Sequence, residues 1–113
     1  MTKESHHSDA DLRRSLVYKL APDRFPNMSG RMAAIVGHIL DEPFAEPRIV
    51  EMSVTSTGGV LAVNEDDAGH NSFIGDRSDL DRNLVGLLNA TPDLTDDEIA
   101  LFGRLQRERI KRW

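Results

Sequence analysis

The amino-acid sequence predicts an α+β domain in which a small antiparallel sheet is covered by about four helices. Three observations predict this class. Residues 48–64 hold two runs of β-branched and aliphatic residues joined by Gly58-Gly59, which is typical of a β-hairpin. Apolar residues recur at helical spacing on both sides of that segment. The chain has 113 residues, a length typical of one domain.

The first helix is predicted to begin at Ser8 or Asp9, either of which can cap it, and to end near Leu20. Residues 1–8 are polar, and we expect them to form a flexible tail. The globular domain is therefore assigned to residues 9–113.

A second helix is predicted from Ser29 to Asp41, after a segment in which Pro22 and Pro26 prevent helix formation. The apolar side chains of this helix fall on one face. His38 lies on the opposite side, so we expect this histidine to face solvent.

The hairpin is predicted to turn at Gly58-Gly59, because glycine readily takes the positive φ that a two-residue turn requires. This register places Val54 opposite Val63. Side chains alternate along a strand, so the predicted core face carries Val50, Met52, Val54, Leu61 and Val63. Ile49 and Val60 are then apolar exceptions on the outer face.

The remaining sequence predicts a possible third strand at residues 72–74 and two more helices. The third helix should begin near Ser78 or Asp79. The last should begin at Thr95 with a capping box, and its apolar residues continue to Trp113. The predicted order is therefore α-α-β-β-(β)-α-α.

Composition excludes several classes of function. Lys and Arg total 14 against 19 Asp and Glu, and the net charge of -5 makes nucleic acid an unlikely main partner. Without cysteine, the chain has no disulfide and no thiolate ligand or nucleophile. No run approaches the ~20 apolar residues of a membrane span. The first residues lack the apolar core of a signal peptide, so we expect a cytoplasmic protein without a membrane partner.

Residues 64–83, here called the polar loop, concentrate carboxylates, amides and one histidine. Oxygen-rich clusters can bind a divalent cation, and histidine can act as a general base. The ligand or metal candidates are Asp66, Asp67, His70, Asn71 and Asp76. The spacing does not match a calcium-binding loop, because Ala68 and Gly75 stand where ligands are needed. His38 and His70 have no partner at a spacing typical of a catalytic motif. We therefore assign no metal ion, no cofactor and no catalytic residue.

The second candidate is a basic segment near the C-terminus. Its interaction candidates are Arg104, Arg107, Arg109, Lys111, Arg112 and Trp113. Basic residues stabilise the last turn of a helix, and arginine and tryptophan are also frequent in interfaces.

The sequence favours a small protein-interaction or regulatory module without catalytic activity, and we expect it to form a homodimer. Two alternatives from other classes remain. One is a ligand- or divalent-metal-binding domain, or a small hydrolase, that uses the polar loop. The other is a nucleic-acid-binding accessory protein that uses the basic C-terminal helix.

Overall fold

The computed structural model describes residues 8–67 and 69–112, and its element order confirms the predicted α+β class. Single 3₁₀ turns at Pro22–Arg24 and Glu65–Asp67 connect the main elements. In chain order, the main elements are α1 (Asp9–Lys19), α2 (Gly30–Leu40), β1 (Ile49–Val54), β2 (Gly59–Asn64), β3 (Ser72–Asp76), α3 (Arg77–Asn89), α4 (Asp96–Arg109) and β4 (Ile110–Arg112).

Each of the four α-helices begins at a polar side chain that accepts a hydrogen bond from the first turn. The four capping residues are Ser8, Ser29, Asp76 and Thr95. Such a bond satisfies one of the amides left without a partner at a helix start. The predicted capping box is confirmed, since Thr95 and Glu98 each bond the other's backbone amide. Residues 1–7 of the predicted tail lie outside the described residues.

The four strands form one sheet in the order β3-β2-β1-β4. The first three strands pair antiparallel, and β4 pairs parallel with β1. One face of the sheet carries Met52, Val54, Val60, Ala62 and Ile110 into the core. The helices cover this face, as the sequence predicted.

Strand β4 corrects the prediction that the last helix continues to Trp113. The helix ends at Arg109, and Ile110 takes extended backbone geometry. Ile110 pairs with Met52 and fills the core beside it. Burial of a β-branched side chain against the sheet therefore ends the helix at Arg109 and begins β4. Trp113 itself lies outside the described residues.

The hairpin turn also differs from the predicted two-residue turn. Thr55 and Gly59 pair across a three-residue loop, because the Thr55 amide donates to the Gly59 carbonyl. Only Gly58, with φ at 90°, takes the left-handed conformation, while Gly59 belongs to β2. A type I turn followed by one left-handed glycine is a common three-residue hairpin.

This turn shifts the register of the two strands by three residues, so the predicted register is wrong. Val54 faces Val60 rather than Val63. A shift by an odd number exchanges the two faces of the second strand. Val60 and Ala62 are buried in the core, and Leu61 and Val63 lie half-buried on the outer face.

The predicted core face is also wrong at the start of β1, where Val50 forms a β-bulge. Ile49 pairs with Asn64 and Glu51 with Val63, so Val50 is an extra residue in β1. The bulge turns Ile49 into the core and leaves Val50 exposed on the outer face. Of the predicted core face, Met52 and Val54 are confirmed as buried.

A buried carboxylate joins α1 to α4. Glu98 accepts hydrogen bonds from the Lys19 ammonium at 2.9 Å and from the Ser15 hydroxyl, both on α1. Burial raises the pKa of Glu98, but the bonds from Lys19, Ser15 and the Thr95 amide outweigh it and hold this pKa at about 2. The Glu98 carboxylate is therefore ionised and fully paired at neutral pH.

This pairing predicts a loss of stability in acid. The pKa of Glu98 lies below the ordinary value of 4.5, so its contribution is complete above that value and is lost as the pH falls toward 2. The difference corresponds to about 3 kcal/mol. Chemical denaturation should show Glu98→Gln less stable than the natural protein at pH 7, with the gap closing toward pH 2. Asp97→Asn is the control, since Asp97 is exposed in the same turn. A gap independent of pH would contradict the role of the Glu98 charge.

Candidate functional site

The polar loop does not assemble its candidate residues into a site. Asp66, Asp67 and His70 are exposed, and the closest approach is 2.9 Å between Nδ1 of His70 and Oδ1 of Asp67. Asn71 is exposed as well, and Asp76 caps α3 by accepting from the Ser78 amide at 3.3 Å. Among residues 8–67 and 69–112, no three His, Asp or Glu side chains lie close enough together to bind a metal ion.

His38 is buried, which corrects the prediction that it faces solvent. Its side chain is 8% exposed and lies between two backbone carbonyl groups. Nδ1 is 3.0 Å from the Ile49 oxygen, and Nε2 is 3.1 Å from the Arg109 oxygen. Carbonyl oxygens only accept, so a neutral ring donates to one of them and a protonated ring donates to both. His38 therefore links α2 to the start of β1 and to the end of α4.

Arg109 in turn forms a hydrogen bond with the backbone of His38. Its Nε donates to the His38 carbonyl at 2.7 Å, and its terminal nitrogen lies 3.6 Å from Asp41. Two side chains thus bond each other's backbone across the C-terminal ends of α2 and α4. Because β4 begins directly after Arg109, this exchange also fixes the position of that strand.

Two other members of the basic segment point away from each other. Arg104 pairs with Asp9 at the start of α1. Lys111 lies 3.5 Å from Glu51 on the outer face of the sheet. With Arg109 directed toward His38, the basic segment does not form a single surface.

The remaining two basic residues of the segment, Arg107 and Arg112, line a groove between α3 and α4 together with Arg77 of α3. We call this the arginine groove; it encloses about 420 Å³, and β1 and β4 form its floor. Its apolar lining comprises Val54, Leu80, Leu84, Val85, Leu88 and Ile110. That volume lies within the range of protein ligand sites, ~300–1,000 Å³.

The groove exists because α3 and α4 stand apart. The Asp81 carboxylate and the Gln106 amide, 3.3 Å apart, form the one side-chain hydrogen bond between these helices in the described part of the chain. Gly103 faces the opening without a side chain, and the guanidinium of Arg107 extends over it. Neighbouring helices normally close such a space with interlocking side chains. Here Val85 on the wall of the groove is 54% exposed, while the side chains at its base are at most 9% exposed: Val54, Leu80, Leu84 and Ile110.

The groove carries an excess of positive charge. Asp81 is its one carboxylate, and Arg77 lies 3.5 Å from it. Arg107 and Arg112 form no ion pair with any residue in 8–67 or 69–112. Within the described residues, two guanidinium groups thus have no acidic partner and lie beside apolar side chains, in a chain whose net charge is -5.

A second open groove, of about 440 Å³, lies between α3 and the segment before α2. Phe25, Met28 and Leu87 line it, and Arg24 is its one charged lining residue. The guanidinium of Arg24 already stacks on the Tyr18 ring at 4.5 Å. Without converging charged groups, this groove offers less specificity than the arginine groove.

Comparisons of this chain with protein-family models, with curated proteins and with solved structures found no match. The groove is therefore interpreted from its own residues. Sequence reasoning singled out Arg107 and Arg112 but did not select Arg77 as a site residue. One signal was available: Val85 follows Leu84, so the apolar residues of α3 extend beyond one face.

The two histidines give a matched test of the buried hydrogen bonds. His38→Ala should lower the free energy of unfolding by about 2–4 kcal/mol, because an unpaired buried carbonyl costs ~1–3 kcal/mol and a cavity adds to this. His70→Ala should change it by less than about 0.5 kcal/mol, as expected for an exposed side chain. Urea denaturation of both variants measures the difference. Equal stabilities would show that the bonds of His38 do not hold the fold.

Proposed function

We propose that this protein is a protein-interaction module without catalytic activity, which binds an acidic segment of a partner protein in the arginine groove. The observation that carries the proposal is that Arg77, Arg107 and Arg112 line one groove together with apolar side chains, of which Val85 is 54% exposed. Buried apolar anchors supply most binding energy in such interfaces, and charges at the rim supply specificity and rate.

The charge of the groove favours a partner with carboxylates. Arginine binds carboxylate through two parallel hydrogen bonds, and the three guanidinium groups exceed the single Asp81. A long phosphate backbone fits less well, because it would run onto a surface whose overall charge is negative. The groove is short enough to bind a local acidic segment while the rest of the surface repels other polyanions.

The chemistry of the lining supports binding rather than turnover. Guanidinium groups stay protonated, and aliphatic side chains offer neither a nucleophile nor a proton. The nearest carboxylate, Asp81, is occupied by Arg77 and Gln106. No described helix has both the length and the hydropathy needed to cross a bilayer. A location in the cytoplasm remains a prediction of the sequence.

A synthetic peptide tests this proposal. The probe is a fluorescent peptide of about twelve residues, with leucines in its middle and one glutamate near each end. The double variant Arg107→Gln/Arg112→Gln should fold normally and bind the probe roughly tenfold more weakly, since each exposed ion pair contributes up to ~1 kcal/mol. Fluorescence anisotropy measures the affinity.

The control is Arg14→Gln/Arg82→Gln. It removes the same charge from exposed residues outside the groove, each paired within its own helix. This variant should bind the probe as the natural protein does. Equal losses in the two double variants would show that only net charge matters, and absence of binding to the natural protein would refute the proposal.

We also propose that the protein forms a homodimer through the outer face of its sheet. No described helix covers that face, where Phe73 is 69% exposed and pairs with Leu61 of β2. Val50 of β1 is exposed on the same face. Its charged pair, Glu51 and Lys111, is of opposite sign, so two copies related by a two-fold axis can exchange partners without repulsion. Exposed apolar surface of this kind commonly marks an interface.

Sedimentation velocity over a range of concentrations tests the dimer. The natural protein should shift from monomer to dimer as concentration rises, and Phe73→Ser should stay monomeric. Tyr18→Ser is the matched control, because Tyr18 is an equally exposed aromatic residue on α1. A natural protein that stays monomeric at high concentration, or a Phe73→Ser variant that dimerises like it, would refute the proposal.

A further inference from the structure

We infer that the acidic segment of the partner protein binds in extended conformation, as an added strand beside β4. This inference rests on the proposed function and adds the conformation of the bound segment and the backbone groups that receive it. Strand β4 lies at the edge of the sheet, pairs on one side with β1, and ends at Arg112 in the arginine groove. The unpaired backbone of β4 and the charge of its side chains support strand addition.

The open side of β4 presents backbone groups that an added strand can bond. The Ile110 amide donates to the Gln106 carbonyl of α4 rather than to β1. The backbone groups of successive residues in a strand point to opposite sides. The amide and carbonyl of Lys111 therefore point to β1, whereas those of Arg112 point to the open side together with the Ile110 carbonyl. Extended peptides bind other sheets by pairing with groups of this kind.

The other edge of the sheet, β3, is less suited to pairing. Ile74 is an extra residue in the pairing of β3 with β2, and such a bulge interrupts the regular spacing of backbone groups. The Arg31 guanidinium also donates to the Ile74 carbonyl at 3.2 Å. Bulges and charged side chains commonly protect an edge strand from pairing. Strand β4 has a regular register with β1 at all three of its residues, so β4 is the edge that an added strand fits.

The side chains around β4 determine which segment can pair with it. Lys111 and Arg112 are exposed, and Arg107 lies in the last turn of α4. The same strand from a second copy would place like charges opposite each other, which destabilises pairing. An acidic strand instead brings carboxylates to Arg107 and Arg112, neither of which has an acidic partner in the described part of the chain. The charges therefore favour an acidic segment of another protein.

The alternation of side chains along a strand predicts where the carboxylates of the segment lie. Arg112 is on the face of the sheet that forms the arginine groove, and Lys111 is on the outer face, 3.5 Å from Glu51. Because Glu51 already pairs with Lys111, the unmet charge is on the groove face. The segment should therefore carry carboxylates at every second position, all directed to that face.

Methylation of alternate backbone amides of a peptide tests strand addition. The strand probe is a fluorescent peptide of about nine residues in which glutamate alternates with threonine. Two further versions are N-methylated at the even or at the odd positions. Alternate amides of an added strand face β4 or solvent, so one version should bind at least about tenfold more weakly and the other as the unmodified probe does. Fluorescence anisotropy measures the three affinities.

Two variants of the protein give a matched test of the same pairing. Arg112→Gln removes the guanidinium and keeps the backbone amide, whereas Arg112→Pro removes both. Proline is tolerated on an edge strand where its nitrogen faces the open side, so both variants should fold. The Arg112→Pro variant should bind the strand probe several-fold more weakly than Arg112→Gln. Equal affinities, or loss of folding in Arg112→Pro alone, would contradict an outward amide that bonds the probe.

The outcomes separate this inference from the proposed function. Equal losses in the two methylated versions, or no loss in either, overturn strand addition while binding in the groove stands. Binding of the leucine-containing probe without binding of the strand probe does the same. Absence of binding by both probes overturns both proposals. A change of the Arg112 amide signal in NMR spectra that depends on protein concentration alone assigns the edge to a second copy and overturns the acidic partner.

Discussion

The exchange of hydrogen bonds between His38 and Arg109 is the constraint on which the rest of the structure depends. It joins α2, the start of β1 and the end of α4 in one place, and it sets where the chain leaves α4 for β4. Strand β4 supplies both Ile110 on the floor of the arginine groove and Arg112 on its rim. The arginine groove thus depends on the contact between the C-terminal ends of α2 and α4, because that contact positions β4.

The second feature that determines the groove is a difference in polar contacts: more of them join α1 to α4 than join α3 to α4. Glu98 ties α1 to α4 through a buried, fully paired carboxylate, and such a charge is stable only while its donors stay in place. Among the described residues, α3 has one polar link to α4, the Asp81–Gln106 hydrogen bond. Helix α3 is held by its cap and the hairpin turn at its start, and by Leu80 and Leu84, which are buried in the core. The sparse polar contact between α3 and α4 leaves the groove between them.

Local signals in the sequence predicted the elements well and their mutual placement poorly. The caps at Ser8 and Thr95 are formed by residues that are close together in the sequence, so the sequence predicted where these helices begin. The hairpin register depends on which of two glycines takes the positive φ, and sequence alone does not decide between Gly58 and Gly59. That choice moved the pairing by three residues and exchanged the two faces of β2. The burial of His38 could not be predicted either, because its partners come from distant parts of the chain.

The basic segment shows why adjacency in sequence is a weak guide to a site. The five charged residues of that segment span the end of a helix and the start of a strand, two elements whose side chains follow different periods. They therefore point to α1, to His38, to the outer face and to the groove. Only two reach the groove, and the third arginine comes from α3, thirty residues earlier in the chain. A groove that combines distant arginines with apolar side chains can discriminate between partners by both charge and shape. A partner that matches only the charge, or only the shape, gains only part of the binding energy.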